Sequence, residues 1–71
     1  MLYYYMIDEE EFRKQLAFEV IKEGSAYAWA RLNKVPRSVV SAVLREQMPV
    51  TPGLARALGY RRVVRFERIE E

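Results

Sequence analysis

Arg37, Ser41 and Arg45 stand four residues apart, with Ser38 and Ala42 beside them. On a helix that spacing brings all five to one side, as a short polar strip carrying positive charge. Such a strip can donate hydrogen bonds but has no group that makes or breaks covalent bonds. An arginine in a first turn can pair its fork with a guanine, and an alanine methyl can pack on a thymine methyl. The chain contains no His and no Cys, so it has no imidazole base, thiol nucleophile or thiolate metal site. Its acidic residues gather at expected helix starts and at the C-terminus, not as a facing pair in a pocket. The expected chemistry is recognition and not catalysis, with no cofactor, metal or small-molecule substrate.

A helix over residues 37–47 must hold this strip, and its apolar residues show how. Val39, Val40, Val43 and Leu44 take one side and leave the strip on the other. Pro36 fits the cap or first turn, where a missing N–H costs little. Upstream, Ser25 can cap a shorter helix over about 26–32. Ala26, Ala28 and Ala30 let another helix come close, and Trp29 supplies bulk for a core. Between the two helices lie Asn33, Lys34, Val35 and Pro36, and Asn33 tolerates a left-handed turn better than most residues. Two short helices, a tight turn, small residues in the first and branched ones inside the second describe a helix-turn-helix. Val40 and Val43 lock the second helix down, so its polar side faces outward at a size that suits a major groove. Ser25, Tyr27, Lys34 and Thr51 fall at helix starts and at the turn, where contacts to phosphate are expected.

Flanking segments complete the expected domain. Residues 2–7, LYYYMI, are aromatic and branched and read as a strand. Asp8 can cap a helix over 9–23, with Glu11 three residues on as in a capping box, and Glu9 and Glu10 suit its positive end. Phe12, Leu16, Val20, Ala17 and Ile21 follow helical spacing, and Gly24 can end that helix. Thr51 with Pro52 opens a last helix over about 52–58, with Leu54 and Leu58 inward and Gly59 as its stop. Residues 60–69 interleave arginines with branched and aromatic residues as a second strand candidate. Segments 2–7 and 62–69 are expected to pair as one small antiparallel sheet. The fold class expected is mainly α, with four helices and short terminal strands in a single domain over 1–71.

At 71 residues the chain is near the lower size limit for a core that stands alone, so a second copy is expected, through Val64 and Phe66. Its 51% hydrophobic and 31% charged residues describe a globular chain. The longest uncharged run, residues 47–55, is too short to cross a bilayer. The start lacks the basic leader and cleavage site of a signal peptide. A soluble, cytoplasmic protein with no membrane partner is expected. The net charge of +2 conceals an asymmetry. Residues 1–30 carry three basic and six acidic side chains, whereas 31–68 carry nine basic and two acidic ones. A basic half beginning at the two short helices is the electrostatic footprint of a nucleic-acid binder.

The stretch WARLNKVPRSVVSAVLRE, continued by PVTPGLARALGYRRVVRFERI, resembles the lambda-repressor-like group of Cro and Xre regulators, common in phages and prophages. The resemblance covers about residues 10–69. It implies a four-helix domain that binds a double-stranded DNA operator as a homodimer, and so a small transcriptional regulator acting as a repressor. Carried over, Ala30 is the small residue of the scaffold helix and Val40 the buried residue of the recognition helix. Arg37, Ser38, Ser41, Ala42 and Arg45 fall where that group reads bases. Two positions depart from its pattern. Lys34 stands where the turn usually has glycine, which implies either a strained left-handed lysine or a rearranged turn. Ala26 stands where a glutamine often holds a phosphate. The alternative is a protein-interaction module on the same fold, such as a small phage assembly component or an antitoxin-like subunit.

Overall fold

A computed structural model of the chain describes residues 6–61, 63, 66 and 68–70. These residues are mainly helical, with α1 (Glu9–Glu23), α2 (Ala26–Asn33), α3 (Arg37–Leu44) and α4 (Pro52–Ala57). Side-chain caps start three of them. Asp8 Oδ1 accepts the Glu11 N–H at 2.8 Å, Ser25 Oγ the Ala28 N–H at 3.0 Å and Thr51 Oγ1 the Leu54 N–H at 3.2 Å. Each cap satisfies a backbone donor that the helix itself leaves open. α1 ends at Gly24, whose φ of 100° lets its N–H turn back onto the Val20 and Ile21 carbonyls.

The core draws on every helix. Phe12 and Leu16 come from α1, Trp29 and Ala30 from α2, Val40 and Val43 from α3, and Leu54 and Ala55 from α4, with Val50 between the last two. Leu16, Val40, Val43 and Leu54 are wholly buried, each stabilising the fold by about 1.5–3 kcal/mol through loss of water contact. α1 packs on α2 and α3, and α2 on α3. Tyr60 closes the far side of α1. Its ring meets Phe12 edge-on at 6.0 Å and its hydroxyl donates to Gln15 Oε1 at 2.8 Å.

Several expectations change. Ile21, expected on the inner face of α1, is 75% exposed. It lies nine residues from Phe12, which at about 100° per residue is the opposite side of the helix. Leu58, expected inward, is half-buried and packs against the core. α3 stops at Leu44 and not at residue 47: Glu46 takes a φ of 60°, and the Gln47 N–H reaches back to the Ala42 carbonyl at 2.8 Å. The expected sheet is not formed among the described residues, because Met6, Ile7, Val63, Phe66 and residues 68–70 belong to no strand. Strand-forming residues need a partner and a covered apolar face, and Phe66 is 94% exposed. Residues 2–5, 62, 64, 65 and 67 lie outside the described residues, Val64 with them. No helix of the described residues is long and apolar enough to cross a membrane.

Candidate nucleic-acid interface

The turn between α2 and α3 decides which way α3 faces. Lys34, not Asn33, takes the left-handed conformation, at φ 58° and ψ 40°. Asn33 instead ends α2, its Nδ2 donating to the Trp29 carbonyl at 2.9 Å. Past Lys34 the Val35 N–H bonds the Ala30 carbonyl at 2.9 Å, so the chain reverses within three residues. Of the two possibilities that a lysine in place of glycine left open, the strained left-handed residue is the one observed. Pro36 then occupies the cap of α3 at φ −59° and supplies no side-chain hydrogen bond. The positive end of α3 is thereby left without a side-chain cap.

Burial of Val40 and Val43 fixes the outward face. Opposite them, Arg37 and Ser38 in the first turn are exposed, while Ser41 and Ala42 are half-buried one turn on. Arg45 is exposed too, but as the residue just past α3, its N–H on the Ser41 carbonyl at 3.0 Å. A cation at that end suits the negative pole of the helix dipole. Arg13 supports α3 from behind: its Nε donates to the Val43 carbonyl at 2.9 Å and its Nη2 contacts Glu9 Oε2 at 3.2 Å. The same carbonyl also accepts the Glu46 N–H at 3.1 Å, so Arg13 takes up its second lone pair.

The four residues expected at phosphates lie at the start of α2, at the turn before α3 and at the start of α4. Ser25 is the exposed cap of α2, Lys34 the exposed turn residue and Thr51 the half-buried cap of α4. Each capping hydroxyl uses a lone pair for its cap and keeps its own hydrogen to donate elsewhere. Tyr27, in the first turn of α2, is 56% exposed, and its ring lies under the guanidinium of Arg37 with Cζ 6.0 Å from the centroid. This contact joins two of the expected site residues across α2 and α3.

Charge separates in space as it does along the chain. The ion pairs of the described residues all lie on α1: Arg13 with Glu9, Lys14 with Glu10 and Lys22 with Glu19. Arg31, Lys34, Arg37, Arg45, Arg56 and Arg61 have no acidic partner among the described residues, so their charge is available to a ligand. A groove of about 370 Å³ beside α1, lined by Gln15, Phe18, Leu58 and Tyr60 among others, includes none of the expected site residues. Among the described residues no three acidic side chains gather where they could hold a metal ion.

Two contacts escaped the reading of the sequence. Arg13 is separated by thirty positions from the carbonyl it satisfies, and nothing in its own neighbourhood signals that partner. Tyr27 and Arg37 stood as separate candidates, and only the angle between α2 and α3 brings them together. No family model, curated protein or solved structure matches this chain.

Proposed function

We propose that this chain is a small sequence-specific binder of double-stranded DNA, a Cro/Xre-like transcriptional regulator acting as a repressor. In this reading α2 and α3 form a helix-turn-helix and α3 enters the major groove. One observation carries it. Arg37, Ser38 and Arg45 stand exposed on the side of α3 opposite the wholly buried Val40 and Val43, the two arginines without an acidic partner among the described residues. A helical corner with no ligand has no need of an exposed cationic strip on its outward side.

Arg37 is assigned to a guanine, with Ser38, Ser41, Ala42 and Arg45 beside it on base edges. Ser25, Tyr27, Lys34 and Thr51 are assigned to phosphates, which set position and register but not sequence. The reading requires no cofactor and no catalytic step, and it places the protein in the cytoplasm with its DNA. A second copy is assigned to the C-terminal segment, where Phe66, exposed in the single chain, would be covered together with Val64. Two recognition helices then face one two-fold operator.

Selection of bound sequences from random duplex DNA tests the proposal, followed by titration against the best duplex and a scrambled one at two salt concentrations. A two-fold consensus and a preference for the selected duplex are expected. Equal affinity for both rules out a base-reading helix. The second reading, a protein-interaction module of the phage-assembly or antitoxin kind, is favoured by Phe18 and Ile21, exposed at 62% and 75% on α1. Absence of binding to either duplex supports it.

A further inference from the structure

We infer that Tyr27 holds the Arg37 guanidinium in its base-reading pose, so that α2, outside the groove-entering helix, takes part in choosing the base pair. The inference rests on the proposed reading of DNA by α3.

The geometry and the chemistry of the two side chains point the same way. Arg37 Cζ sits 6.0 Å from the centroid of the Tyr27 ring, at the range where a cation is drawn to the face of an aromatic ring. Both residues are exposed, and no carboxylate among the described residues competes for the guanidinium. A free arginine at the start of a helix samples many rotamers, and each bound pose must be selected from them. A tyrosine has two side-chain torsions, and Tyr27 stands on a helix pinned at its start by the Ser25 cap.

What matters most is which part of the arginine the ring engages. A salt bridge would occupy the N–H edges of the fork, the same edges that pair with guanine O6 and N7. A ring engages the face of the delocalised plane and leaves those edges free. Tyr27 therefore restrains Arg37 without consuming its donors. It is a positioning residue, and its hydroxyl, assigned to a phosphate, is a separate matter from its ring.

The test uses the full chain and the duplex it selects from random DNA, with Arg37→Ala first identifying the base pair that Arg37 reads. The quantity measured is the affinity ratio between guanine and the other bases at that pair. Tyr27→Leu is expected to lower the ratio about two- to fivefold, the range of an exposed cation–aromatic contact. Tyr27→Phe keeps the ring and the wild-type ratio, even where loss of the hydroxyl lowers affinity for every duplex. In an Arg37→Ala background Tyr27→Leu has no further effect on the ratio, as expected for two residues acting as a unit. Circular dichroism and melting confirm that each variant folds.

A wild-type ratio in Tyr27→Leu, an equal loss in Tyr27→Phe, or a loss that persists without Arg37 overturns the positioning role and leaves DNA reading by α3 standing. Arg37→Ala with unchanged preference at every base pair overturns it as well. A wild-type chain that does not distinguish its selected duplex from a scrambled one overturns the parent reading and this inference together.

Discussion

Replacing Lys34 with glycine removes a strained backbone and a positive charge together, whereas replacing it with alanine removes the charge alone. At φ 58° and ψ 40° Lys34 lies in the left-handed region, which costs a residue bearing a Cβ about 1–2 kcal/mol. Glycine escapes most of that cost but gains freedom in the unfolded chain, which offsets about 0.4–1 kcal/mol. Lys34→Gly is therefore expected to stabilise the fold by about 0.5–1 kcal/mol. For a domain of this size that raises the melting temperature by about 2–8 °C. Lys34→Ala retains the Cβ and stays within about 0.5 kcal/mol of wild type, since the side chain is exposed and has no acidic partner among the described residues. Both variants lose the same phosphate contact in the proposed reading. Each weakens binding to all duplexes alike and lowers the slope of log affinity against log salt by about one unit. Thermal melting by circular dichroism reads the first effect, and anisotropy titrations at about 50 and 200 mM salt read the second. Equal melting temperatures for the glycine and alanine variants refute the backbone argument. An unchanged salt slope refutes the placement of Lys34 against a phosphate.

Arg37→Ala is expected to cost about 1–3 kcal/mol of affinity for the best duplex and to relax preference at one base pair; a uniform loss across sequences would instead make Arg37 a phosphate contact. Phe66→Asp leaves the melting temperature of the single chain unaltered, because the side chain is 94% exposed, but yields monomers in sedimentation where the wild type is expected to be a dimer. A wild-type monomer at tens of micromolar would sink the assigned interface. Ala30→Leu forces a larger side chain into a position that is only 2% exposed and destabilises by about 1–3 kcal/mol. Chemical denaturation measures it, and a neutral effect would show that α2 and α3 do not need a small residue there.

Features governed by near neighbours were legible in the sequence. Asp8, Ser25 and Thr51 cap the helices they precede because a cap needs only a side-chain oxygen and an N–H three residues on. Gly24 and Gly59, at φ 100° and 84°, mark chain reversals for the same local reason. Periodicity was enough to put Val40 and Val43 inside, and so to put Arg37, Ser38 and Arg45 outside. The end of α3 was not legible, since its left-handed residue is Glu46 and no glycine announces it. Asn33 was the better candidate for the left-handed position by type, yet Lys34 holds it, because the Val35 N–H must reach the Ala30 carbonyl. Contacts between distant elements lay furthest out of reach. The bonds from Arg13 to Val43 and from Tyr60 to Gln15 span thirty and forty-five positions, and they exist only once the packing of α1 is known. The strand expectation, not supported among the described residues, rested on β-branched and aromatic composition, which does not carry its own partner.

If α3 reads DNA as proposed, its eight residues set a limit on how much a single copy can know about its address. At about 1.5 Å per residue the helix is roughly 12 Å long, and successive base pairs lie about 3.4 Å apart, so it passes three or four of them. A word of four base pairs recurs by chance about once in 256 positions, against roughly a million to a billion competing sites in a genome. In the terms of information, one helix supplies about eight bits where about twenty or more are needed to name a single place. A second copy at a fixed separation doubles the word and adds the constraint of spacing. In the proposed reading selectivity belongs to the pair, and a lone chain would be a general DNA ligand with a slight preference for one short word.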